Sequence, residues 1–180
     1  MADLEILIQR LHQSPFQAVL VVTGGGSQAL ADLLAVPGAS KTFLEGLIPY
    51  CEQAVVAFLG FRPEHFVSEE TAVTLAEKAY VRALALRESS ETPVIGAACT
   101  ATLVTDRPKK GEHRAYIAVH NGARTVVCSL VLTKGARDRC GEERVVGDLM
   151  IRALAQACGF SAPASSLLLP GERVIFHPGE

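Results

Sequence analysis

Residues 17–34 read QAVLVVTGGGSQALADLL: a continuous apolar run passes through Gly24, Gly25 and Gly26 into a helically spaced apolar pattern that starts at Ser27. A strand that is apolar at every position, rather than at every second one, is covered on both faces. The run therefore predicts a buried strand over residues 17–23 with helices above and below its sheet. The glycines permit a tight exit turn and let another group approach the backbone closely. Successive N–H groups in such a turn, opening onto a helix N-terminus, suit a phosphate or an oxyanion. A plain strand-to-helix corner with Ser27 as N-cap would use the same residues.

On the N-terminal side, Leu4, Ile6, Leu7 and Leu11 predict a helix over residues 3–13, broken at Pro15. On the C-terminal side, the helix opened by Ser27 closes at the turn residues Pro37 and Gly38. Residues 42–50 read as a strand, because Gly46 and Pro49 both disfavour a helix interior. A short helix over residues 51–59 stops at Gly60, and Ser68 caps a long one that runs toward Arg87 behind Glu69 and Glu70. Residues 93–100 form a second buried strand of small side chains. Two β-rich runs, 115–120 and 124–133, meet at Asn121-Gly122, which signals a type I′ hairpin. A last helix covers 138–158, and the tail holds only RVIFH as strand-like material. The expected class is α/β: a three-layer α/β/α sandwich with a mixed, mostly parallel sheet and one antiparallel hairpin.

The 180 residues are 49% apolar, enough for one core that buries roughly 70% of the unfolded surface. A single domain over 1–180 follows, with its core in 17–158, an N-terminal helix in 1–14 and a tail in 159–180. A formal charge of −2 gives no global field toward nucleic acid or anionic lipid. No run approaches the roughly 20 apolar residues of a membrane span, and Asp3 and Glu5 make the N-terminus unlike a signal peptide. The reading is a cytoplasmic protein without nucleic-acid or membrane partners. Cys51, Cys99, Cys128, Cys140 and Cys158 contain no CxxC, and the five histidines have no ligand spacing, so no metal or other cofactor is expected.

The order GGGSQALADLLAVPGASKTFLEGLIPY, then VSEETAVTLAEKAYVRAL, then RPKKGEHRAYIAVH resembles the C-terminal domain of the competence-damage protein CinA, the family that includes nicotinamide-mononucleotide amidases. The likeness covers roughly residues 17–158. It implies hydrolysis of a nicotinamide carboxamide with release of ammonia, by a serine nucleophile with a tyrosine and a lysine nearby. In the ungapped register Thr23 stands at the serine, Tyr50 at the tyrosine and Val55 at the lysine. Ser27 is the alternative nucleophile if the register shifts. In relatives a domain like this one can precede a nucleotidylyltransferase domain, and such folds often self-associate.

The candidate catalytic residues are thus Thr23, Ser27 and Tyr50. Gly24, Gly25, Gly26 and Thr100 are candidates to line the ligand. Thr102 belongs with them, and Cys51, beside Tyr50, is a candidate nucleophile for which the sequence indicates no histidine partner. Arg107, Lys109, Lys110, His113 and Arg114 concentrate positive charge in one loop, where Arg offers a bidentate fork and Lys a point charge for a phosphate. The same loop could equally face water. Two functions stay open: a nucleotide amidase with a small-molecule nucleotide as partner, and a catalytically degenerate nucleotide-binding or regulatory module, to which Val55 points. A purely structural dimerisation domain would bind no ligand. The shared expectation is that the second helix's first amides and the 107–114 cations meet one anion.

Overall fold

A computed structural model describes residues 2–107 and 110–179. Helix α1 (Ala2–His12) leads into β1 (Gln17–Thr23), and the glycine turn connects β1 to α2 (Ser27–Ala35). A 3₁₀ turn (Ala39–Lys41) precedes β2 (Phe43–Leu47), α3 (Glu52–Leu59) and α4 (Glu69–Leu86). Then come β3 (Val94–Thr102), β4 (His113–His120), β5 (Thr125–Leu132), α5 (Arg139–Ala157) and β6 (Arg173–Pro178).

The six strands form one sheet in the order β2-β1-β3-β4-β5-β6. Pairing is parallel between β1 and both β2 and β3, and antiparallel from β3 outward to β6. Four strands run one way while β4 and β6 oppose them, so the sheet is mixed, with both parallel pairs made by β1 at the β2 side of the sheet. The tail strand adds a third antiparallel pairing, against the outer strand of the hairpin.

The continuous apolar run in β1 has the cause anticipated: six of its seven residues are buried, because helices cover both faces. Ala18, Leu20 and Val22 face a core shared with α1, α2 and α5. Val19 and Val21 face a core shared with α3 and α4. Ser68 caps α4 by accepting from Thr71 N, and Gly60 ends α3 in the left-handed region at φ 85°. In β3 a Cβ on Gly96 would lie 2.1 Å from Ala76 O and 2.2 Å from Tyr80 N. Only glycine there lets α4 lie against the sheet so closely.

Two local expectations change. The hairpin between β4 and β5 is not type I′, which needs φ > 0 at both central residues; only Gly122 has it, at 86°. His120 pairs with Thr125 across a longer loop, and Asn121 Oδ1 accepts from Ala123 N and Arg124 N, so the asparagine serves as a side-chain brace. Ser27 is also not the cap of α2. Gly26 holds that position at φ 95°, and Ser27 is the first helical residue.

Candidate functional site

The C-terminal ends of β1 and β3 lie side by side, with Thr23 opposite Thr100 and Gly24 beginning the turn. All three glycines are pressed against neighbouring protein. A Cβ on Gly24, where φ is 72°, would meet Ala101 O at 2.0 Å; one on Gly25 would meet Leu103 Cδ1 at 2.8 Å; one on Gly26 would meet Cys99 Cβ at 3.1 Å. The turn is tight because the strand must clear the β3 backbone. The thiol of Cys99 beneath it is pushed well up, first by burial and then by the nearby Glu143 carboxylate.

The first turn of α2 already holds an anion of the chain's own. Ser27 Oγ donates to Glu143 Oε1 at 2.7 Å, and Gln28 N donates to the same oxygen at 3.2 Å. A carboxylate at a helix N-terminus meets both the free amide and the positive end of the dipole. Glu143 Oε2 is buried and accepts no hydrogen bond among the described residues; Arg139 NH2 stands 3.8 Å from it and donates to Gly24 O at 2.9 Å. Arg139 NH1 also donates to Val104 O. The first turn of α5 therefore clasps the glycine turn and the exit of β3.

The neighbouring Glu142 is fully buried. Its Oε1 lies 2.6 Å from His113 Nδ1, and its Oε2 accepts from Val104 N at 2.8 Å. His113 is thus an anchor of the loop's far end and not a solvent-facing cation. Arg107 and Lys110 are exposed, and Lys109 lies outside the described residues. Arg114 sits one residue beyond the anchor and projects to the opposite face of the sheet, its guanidinium 5.9 Å from the Tyr116 ring centre. Its Nε is buried without a hydrogen bond, and among the described residues no carboxylate pairs with it.

Alternation along β1, β3 and β4 puts Thr23, Thr100, Thr102, Tyr116 and Arg114 together on the α3/α4 face, with Arg114 opposite Thr102 and Tyr116 opposite Thr100. Thr23 is 8% exposed, and the Thr100 hydroxyl donates to Phe66 O at 2.6 Å. Tyr50 is 68% exposed in the loop before α3, beside the exposed Cys51. Val55 is buried in the α3/α4 core. The α2 amides and Arg114 consequently lie on opposite faces of the sheet, and the single shared anion expected of them is not assembled.

Sequence reading missed Glu142, Glu143 and Arg139. Their signal was present in RCGEER, two adjacent acids close behind the N-cap Asp138, the first of them in the opening turn of α5, but only the packing of α5 against α2 shows that the second acid serves another helix.

A strand, a glycine turn and a helix set beside the parallel edge of a mixed sheet, within a three-layer sandwich, define the class of domain to which solved structures can be compared. The competence/damage inducible protein CihA of Agrobacterium tumefaciens is 19% identical, with 88% of this chain and 96% of that one covered at a TM-score of 0.66. A competence or damage-inducible protein of Enterobacter asburiae is 18% identical, with 86% and 98% covered at a TM-score of 0.68. A competence-damaged protein (CinA) superfamily protein of Escherichia coli is 21% identical, with 86% and 88% covered at 0.61. No protein-family model matches the chain, and no curated protein does. The chain has the CinA-like fold.

Proposed function

We propose that this chain is a CinA-fold module that binds a phosphorylated pyridine nucleotide, or a related nucleotide, on the α3/α4 face of its sheet without hydrolysing the carboxamide. The observation that carries the reading is the state of Arg114. A half-buried guanidinium with an unpartnered Nε, set opposite Thr102 on the face that also carries Thr100 and Thr23, is a charge held ready for an anion. Such a group gains more from a phosphate than an exposed lysine does, since a charge-assisted bond strengthens as water is excluded.

Hydrolysis would need more. A hydroxyl attacks an amide only when a base takes its proton, and that assistance is worth about 10²-fold to 10⁴-fold. Valine at position 55, buried in the core, can accept no proton. The Gln28 amide and the Ser27 hydroxyl at the start of α2, which could have stabilised an oxyanion, are engaged by Glu143.

Calorimetry with nicotinamide mononucleotide and with its riboside, which lacks the phosphate, tests the reading. The mononucleotide should bind more tightly, Arg114→Ala should weaken it at least about tenfold, as loss of a charge-assisted pair implies, and the riboside should be indifferent to that change. Release of ammonia from the mononucleotide would overturn the non-hydrolytic part. Equal binding by wild type and Arg114→Ala would overturn the site.

A further inference from the structure

The outer edge of β6 is the feature that the nucleotide reading leaves unused. Among the described residues β6 pairs only with β5, so the N–H and C=O groups on its other side have no strand partner. Ile175 and Phe176 at its centre are 56% and 39% exposed. An open edge with apolar side chains is a template for another strand.

The neighbouring charge selects which strand. Val127 faces the α4 core and pairs with His177, so His177, Ile175 and Arg173 alternate along the α4 side of β6. Between α4 and the end of β6 lies an open groove of about 710 Å³, lined by Glu69, Glu70 and Glu77 together with His177. Glu69 Oε2 is 3.2 Å from His177 Nε2. At the other end of the same strand Arg173 is largely exposed, and its one ion pair among the described residues is a 3.8 Å surface contact to Glu112. Such an exposed pair holds the arginine weakly.

We infer that β6 is a self-association edge, on which a second copy of this chain docks antiparallel about a two-fold axis at Ile175. In that register Ile175 stacks beside its copy, Val174 meets Phe176, and Arg173 lies opposite the second copy's His177. Directly opposed residues of an antiparallel pair share a face about 4.5–5.5 Å apart. Each Arg173 therefore enters the other subunit's acidic groove beside Glu69 and Glu70. The contact is isologous and closes on itself, so it yields a dimer with one continuous sheet and not a filament. Pro178, which could not donate to a ladder, lies outside the symmetric core of residues 173–177.

Sedimentation equilibrium of the full chain tests this, with thermal melts to confirm that each variant is folded. Wild type should dimerise. Arg173→Glu and Glu70→Arg should each dimerise at least about tenfold more weakly, because each places like charges together at both contacts. An equimolar mixture of the two variants should recover dimers, since both contacts then pair opposite charges. A wild type that stays monomeric through the micromolar range overturns the inference, as does a dimer insensitive to either reversal or a mixture that fails to recover. None of these outcomes depends on nucleotide binding.

Discussion

If the glycine turn exists to clear β3 and not to admit a ligand, Gly24→Ala should destabilise the protein in the absence of any ligand. Two costs combine. Alanine at φ 72° enters the left-handed region, at about 1–2 kcal/mol. Its Cβ would also sit 2.0 Å from Ala101 O, a backbone atom in a central strand, so main chain must move by more than an ångström. Overpacking of that kind typically costs about 1–3 kcal/mol. The expected loss is about 2–5 kcal/mol, and with about 2–4 °C per kcal/mol for a domain of this size the melting temperature falls by about 4–20 °C. Gly60→Ala is the internal control. Its φ of 85° imposes the same strain, but nothing lies within 4 Å of the added carbon. Calorimetric melting or urea unfolding of the two variants separates strain from crowding. If Gly24→Ala costs no more than Gly60→Ala, or if it melts like wild type, the packing argument for the turn is wrong.

Glu143→Ala should cost about 1–3 kcal/mol by leaving Ser27 and Gln28 N without their acceptor, and added sulfate should restore part of the lost melting temperature by taking the carboxylate's place. A melting temperature that does not respond to sulfate would remove the claim that Glu143 acts as an internal anion. In native protein at mildly alkaline pH, the exposed Cys51 and Cys140 should react readily with Ellman's reagent, while Cys99, Cys128 and Cys158 wait for denaturant. Burial pushes the thiols of Cys128 and Cys158 up to about 12 and that of Cys99 higher still, so a third fast thiol would contradict the packing around them. Glu172 titrates below its usual range: burial would raise it, but the Arg137 ion pair and the amides of Leu169 and Thr133 outweigh that. A carboxylate depressed in the folded state stabilises at pH above its unfolded value and loses that contribution as pH falls through the folded value. Acid unfolding monitored by circular dichroism should accordingly be shallower for Glu172→Gln than for wild type, and identical acid limbs would count against the pair.

The distribution of apolar residues made the scaffold legible. The β1 run is buried throughout and announced its own two-sided cover, and Ser68 followed by two acids marked α4 by local chemistry alone. These signals are short-range: a strand's burial shows in its own alternation, and a cap bonds within three residues. The Asn121-Gly122 turn shows where local reading stops, because the same dipeptide also fits a longer loop braced by the asparagine side chain.

The site depended on contacts that no window of sequence contains. GGGS fixed that the chain turns sharply at the end of β1, and position 55 fixed that a valine stands where the CinA likeness implies a lysine. Only the tertiary structure decided what fills the corner. Glu143 reaches Ser27 from 116 positions away, and α5 can deliver that carboxylate only after the helix has packed on α2. Strand alternation, likewise, puts His113 under the sheet with Glu142 and sends Arg114 to the other face. Two adjacent basic residues in that segment thus end in different layers, because side-chain direction in a strand has period two while charge counting has no direction at all.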